Sequence, residues 1–222
     1  MDWQALSVSL WLGAGTLAVL LPTGIWLGHV LAMRQFPGKA LVEALVAVPL
    51  VLPPTVLGYY LLTSLGARAP LGAAVEQVLG HALAFSFPGL LVASAVANIP
   101  FVVQPIQRGF ESVPPDVRDA GACCGLSPWQ RFLRIDLPLA WPGIVTAAIL
   151  TFAHTLGEFG VVLMVGGNLP GETRTLSIAI YDRMQAFDDR SAGLMAATLL
   201  VIAVAALAAT TLLARRGGRR RG

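Results

Sequence analysis

The chain has 222 residues, 56% of them hydrophobic and only 12% charged, with a formal net charge of +3. This composition excludes an ordinary soluble domain and points to an all-α, polytopic membrane protein. Its two cysteines are adjacent, and no histidine lies near them. A disulfide framework and a metal site are therefore not expected, and the pair reads as small packing residues.

Five stretches reach the ~20 apolar residues that a membrane crossing needs: Ala5 to Met33, Ala40 to Ser64, Phe85 to Gln104, Leu139 to Val165 and Gly193 to Ala214. The first is long and contains Pro22, which leaves room for a sixth, short or re-entrant piece. Met1-Asp2-Trp3 lacks the basic flank of a signal peptide, so the N-terminus is expected to be retained. His29, close to Arg34, reads as a polar residue near the membrane boundary.

In the second stretch, Pro49, Pro53 and Pro54 fall within six residues. Each removes a backbone donor, and the freed carbonyls must face protein or water. Pro53, Pro54 and Thr55 are therefore candidates to line a path, the alternative being a structural kink. Between the second and third stretches, Leu71, Val75, Val78, Leu79 and Ala82 suit a short surface helix. The third stretch carries Asn98, a polar group expected to point toward another helix or a pore, and is expected to end with Pro100 and Pro105.

The polar island from Asp119 to Pro138 reads as two short helices and a turn. The first helix begins near Pro114 and Pro115, and Gly125 closes it by adopting a left-handed conformation. Ser127, Pro128 and Gln130 form a capping box that starts the second. Leu137-Pro138 is expected to end it. Farther on, His154 and Glu158 lie on one helical face with Thr151 and Thr155 beside it, so the buried carboxylate has a natural partner. A metalloprotease pattern is missing, because no second histidine follows at helical spacing. After a turn-rich segment, Leu176, Ile180, Met184 and Phe187 recur at helical spacing and predict an amphipathic helix on the outer face.

Placing the island inside puts eleven Lys and Arg residues on that side and four on the other, as the positive-inside rule requires. The N-terminus then faces outward and the C-terminus the cytoplasm. The tail 215–222 reads as an anchor to anionic lipid in preference to a nucleic-acid site.

Asp119-Ala120-Gly121, then Gly125, then Ile135-x-Leu137-Pro138 resembles the coupling loop of ABC-importer permeases, whose pattern is Glu-Ala-Ala, three residues, Gly, nine residues, Ile-x-Leu-Pro. Asp119 stands in place of the family's Glu, and Gly121 in place of its second Ala. Together with Val48 to Gly58, Ile99 to Pro105, Phe152 to Asn168 and Ile178 to Asp182, the chain resembles the molybdate permease subunits of bacterial ABC importers, in the branch that serves molybdate, tungstate and sulfate. The resemblance implies a type I permease fold in one transmembrane domain (1–214), with a coupling loop at 111–138. It further implies a homodimer in the bacterial inner membrane, two copies of a cytoplasmic ABC ATPase and an extracytoplasmic oxyanion-binding protein. Asp119, Ala120, Gly121, Gly125, Ile135, Leu137 and Pro138 would meet the ATPase. Pro53, Pro54, Thr55, Asn98, Thr151, Thr155 and Glu158 are the candidates for the path or gate.

The chain has no Gly-x-x-x-x-Gly-Lys-Ser/Thr phosphate loop, so no cofactor is expected on it, and ATP with Mg belongs to the partner subunit. No catalytic residue is assigned. The rival readings are a sulfate or thiosulfate permease of the same architecture and a membrane-embedded enzyme using His154 and Glu158.

Overall fold

A computed structural model of the chain describes residues 1–219. Among them, four helices are long and apolar enough to cross a membrane, and a bent pair supplies a fifth crossing when counted as one span. The helices are α1 (Trp3–Met33), α2 (Lys39–Val51), α3 (Pro54–Leu65), α4 (Pro70–Leu79), α5 (Phe87–Glu111), α6 (Pro115–Cys123), α7 (Pro128–Arg131), α8 (Leu137–Gly157), α9 (Gly160–Gly166), α10 (Leu176–Gln185) and α11 (Asp189–Arg219). A π-helical segment, Phe132–Asp136, joins α7 to α8.

The core of the bundle is α1, α5 and α8. Leu20, Val102, Ile106, Phe110, Ala140, Ile144 and Ala147 form its main apolar cluster. Small residues let the backbones approach, which matters in lipid because packing is what holds spans together there. A Cβ added at Gly143 of α8 would fall 2.6 Å from the Pro105 carbonyl oxygen and 2.9 Å from Gly109 Cα on α5.

The second span is not one helix. α2 and α3 meet at 109°. The cause is local: Leu52 precedes Pro53, and Pro53 precedes Pro54, and a residue before proline is driven out of the helical region. Both adopt extended ψ angles, 135° and 136°.

The fourth span is broken too, between Gly157 and Gly160. Glu158 leaves the helical region with ψ at 129°, and its Oε1 accepts from Val161 N–H at 3.1 Å, capping α9.

Three other expectations need correction. α5 runs past Pro100 and Pro105 to Glu111, because packing against α1 and α8 sustains a span whose backbone bonds proline interrupts. Leu137-Pro138 does not end the island's second helix, which continues through the π segment into α8. Pro138 sits in the first turn of α8 just after that wider turn, where its missing donor does little harm. In α10 the buried residues are Leu176, Ile178 and Ala179, whereas Met184 is exposed, and Phe187, exposed too, lies beyond the end of the helix. That helix packs on α11 and α1, so its inward face is set by tertiary neighbours and not by the spacing read from sequence.

Asp188, ahead of α11, accepts from Ser191, and these hydrogen bonds hold its carboxyl below the usual range. α11 continues without interruption into the basic segment, while Arg220, Arg221 and Gly222 of the expected tail lie outside the described residues.

Candidate functional site

The island folds as two capped helices. Just past α6, Gly125 has φ of +77°, Gly125 N–H donates to Ala122 O at 2.9 Å, and Leu126 N–H donates to Gly121 O at 3.1 Å. These two bonds make a complete Schellman end. In α7, Ser127 accepts from Gln130 N–H at 3.3 Å while the Gln130 side chain accepts from Ser127 N–H at 2.9 Å. Gly121 is buried, and a Cβ there would lie 2.5 Å from Ile135 Cδ1. The glycine that departs from the family pattern is thus seated directly against another residue of that pattern.

Asp119, Ala120 and Pro138 are exposed, and Ile135 and Leu137 are half-buried. Val117, Trp129 and Leu133 add exposed apolar area to the same loop. Cys123 and Cys124 are exposed as well, not packed as their size suggested, because α6 rests on the rest of the molecule through its opposite face.

Two residues not singled out by sequence reasoning hold this loop in place. Arg118 Nε donates to Asp136 Oδ1 at 2.6 Å, and Arg118 Nη2 donates to the Phe110 carbonyl at 2.7 Å. Asp136 Oδ2 lies 3.6 Å from His29 Nε2 on α1. The His29 ring is edge-on to Phe110 and Phe132, at 5.0 and 4.9 Å. A charged residue in the middle of Ile-Asp-Leu-Pro was the available signal.

The path candidates separate into two groups. Pro53, Pro54 and Thr55 are exposed at the α2–α3 break. Asn98, Thr151, Thr155 and Glu158 are buried. The two breaks touch, since a Cβ at Gly160 would lie 2.7 Å from Pro54 Cβ.

Behind this contact runs a chain of polar side chains. Thr16 Oγ1 and Ser94 Oγ are 2.9 Å apart, and Asn98 Nδ2 donates to Ser94 O at 2.8 Å. Asn98 Oδ1 is left to accept from His154 Nδ1 at 3.1 Å, and His154 Nε2 lies 3.7 Å from Glu158 Oε2. Phe101 stacks on the His154 ring with centroids 4.0 Å apart. The expected His154–Glu158 pairing is therefore present, and it is extended by Asn98. The Thr151 and Thr155 hydroxyls are buried and have no hydrogen-bond partner among the described residues.

An open groove of about 500 Å³ runs between α5 and α8, lined by Pro100, Gln104, Arg108, Pro142, Thr146 and Leu150 among others. Near the turn-rich segment, Asn168 Nδ2 donates to both Asp182 oxygens at 3.0 and 2.8 Å, and Arg174 Nε donates to Asn168 Oδ1 at 2.6 Å.

A multi-pass bundle with two broken spans beside an open groove, and a braced polar loop on one end, has the form of a membrane transport permease. The chain belongs to the family described as binding-protein-dependent transport system inner membrane component, which matches residues 21–219. It is 44% identical over 200 residues to the molybdenum transport system permease protein ModB of Azotobacter vinelandii, covering 90% of this chain and 88% of that one. Against ModB of Escherichia coli K12 the identity is 40% over 184 residues, with 83% and 80% covered. The sulfate transport system permease protein CysT of E. coli K12 is 32% identical over 177 residues, with 80% and 64% covered. Two solved structures share the fold. One is a bacterial ABC transporter importing alginate, with TM-score 0.72, 18% identity and coverage of 97% of this chain and 78% of that one. The other is the MetNI methionine ABC transporter in an inward-facing conformation, with TM-score 0.70, 19% identity and 97% and 94% covered.

Proposed function

We propose that this chain is the permease subunit of an ATP-driven importer of molybdate. The observation that carries the reading is its 44% identity to a ModB protein across 90% of its length, joined to a fully capped coupling loop. It works as a homodimer in the bacterial inner membrane, with the N-terminus outside and the C-terminus in the cytoplasm. Two copies of an ABC ATPase dock on the loop at its exposed residues Asp119, Ala120, Gly125 and Pro138, which the buried Gly121 and half-buried Ile135 and Leu137 support from beneath, and ATP with Mg is bound on the ATPase and not on this chain. An extracytoplasmic oxyanion-binding protein delivers the substrate.

Closure of the ATPases moves the loop, and the attached spans follow to alternate access between the two sides. Pro53, Pro54 and Thr55 border the path together with the α5–α8 groove. Asn98, Thr151, Thr155 and Glu158 stand behind it, and the hydrogen bonds of Asn98 and Glu158 brace the broken helices. Selection of the anion rests mainly with the binding protein, because a path that held a dianion tightly would fail to release it.

The similarity to CysT favours one second reading, a sulfate permease of the same architecture. Expression of the operon in a molybdate-uptake mutant at trace molybdate should restore growth, and expression in a sulfate-uptake mutant should not. The reverse pattern replaces molybdate by sulfate.

A further inference from the structure

Within the docking loop, α6 itself has little apolar hold on the spans it must move, the loop's apolar contact with them being made by Phe132 and Leu137. Within α6 only Gly121 is buried, and α6 packs mainly against α7 and the π segment. Yet one carboxylate beneath it meets both the loop and α1. Asp136 is 6% exposed and stands at the entry to α8. Its Oδ1 takes the Arg118 Nε hydrogen bond from α6 at 2.6 Å, and its Oδ2 faces His29 of α1 at 3.6 Å. The second arm of Arg118 reaches the carbonyl of Phe110 near the end of α5, at 2.7 Å.

We propose that Arg118, Asp136 and His29 form the transmission joint of this permease: positioning residues that make the loop, α1, α5 and α8 move as one body when the loop is pushed. The physical reason is that a buried charge pair with shared hydrogen bonds resists separation far more than a few exposed apolar contacts do. Removing one partner leaves an uncompensated buried charge. A guanidinium suits the role because its planar fork holds a carboxylate and a carbonyl in fixed directions, whereas a lysine offers three rotatable donors on a flexible stem. The core of α1, α5 and α8 is built from separate apolar residues, so the spans do not need the joint in order to pack.

The inference rests on the permease reading, and its test separates the two. The complete transporter is reconstituted in nanodiscs with spin labels on Cys123 and on Arg34→Cys, in a Cys124→Ser background. With Arg118 intact, the label distance stays fixed when the ATPases bind a non-hydrolysable nucleotide, although accessibility of the path changes. In Arg118→Gln the distance changes with nucleotide, and uptake per ATP falls about tenfold or more while hydrolysis continues. Arg118→Lys falls between the two.

A fixed distance and unaltered uptake per ATP in Arg118→Gln overturn the joint. Loss of assembled transporter in both Arg118→Gln and the nearly isosteric Asp136→Asn also overturns it, in favour of a purely structural brace. If the transporter with Arg118 intact shows no nucleotide-dependent change in path accessibility, the permease reading itself fails.

Discussion

Gly143→Ala tests whether α5 and α8 are held by close backbone approach. The new methyl carbon would sit 2.6 Å from the Pro105 carbonyl oxygen and 2.9 Å from Gly109 Cα, and both are backbone atoms that cannot rotate aside. Restoring an ordinary contact requires the helices to part by about 0.8 Å, and a gap of that size forfeits a quarter to a half of the dispersion energy of each contact along the seam. Overpacking of this kind costs about 1–3 kcal/mol, and lipid supplies no compensating hydrophobic drive between spans. The matching control is Gly193→Ala on α11, where an added Cβ meets nothing within 4 Å and helix propensity gains up to about 1 kcal/mol. Unfolding of the purified chain by dodecyl sulfate in mixed micelles reads both. Gly143→Ala should lower the midpoint, and Gly193→Ala should leave it or raise it. Equal midpoints would show that the Gly109–Gly143 crossing is not what holds the two helices.

Gly125→Val places a β-branched side chain at φ +77°, a strain of about 1–2 kcal/mol that opens the end of α6. Inserted protein should remain at normal levels while ATP hydrolysis in the complex no longer drives uptake, and Asp119→Lys should behave alike. Disappearance of the protein from the membrane would instead make the loop a folding element. Glu158→Gln keeps an oxygen able to accept from Val161 N–H, so it should assemble better than Glu158→Ala or His154→Ala. All three should leave the preference between molybdate and sulfate unchanged, and a shifted preference in a well-assembled variant would put Glu158 in the path. Cys123 and Cys124 are exposed and should react with a membrane-impermeant maleimide in inverted vesicles only. Labelling of intact cells would reverse the proposed orientation.

The parts of this architecture that were legible in the sequence are those set by neighbours along the chain. Gly125 as a left-handed stop and Ser127-Pro128-Trp129-Gln130 as a restart are local chemistry, and both occur as expected. The number of crossings follows from apolar length. What the sequence concealed depends on partners brought together by folding. Arg118 and Asp136 look like two of many charges until the π segment turns one toward the other. The break at Glu158 sits inside an apolar run, and its stop signal is a side chain that caps the next helix, a role that emerges only once α9 exists. Cys123 and Cys124 looked small enough to pack, but the face of α6 turned inward is the one bearing Gly121.

The two broken spans also explain why glycine and proline occur where they do. Proline forces Leu52 and Pro53 into extended conformations and leaves Pro54 at the start of α3. Gly160 removes the side chain that would collide with Pro54 from the other break. Neither break would be tolerated alone in hydrocarbon, where freed backbone groups have no water to bind. Set against each other, each shields part of the other. Ser177 Oγ donates to the Glu158 carbonyl at 2.7 Å, so α10 supplies a partner for one freed acceptor, while Glu158 itself satisfies the donor of Val161. Irregular backbone in the middle of a span is thereby confined to one supported spot beside an open groove, which is where a path that alternates between two openings needs a hinge.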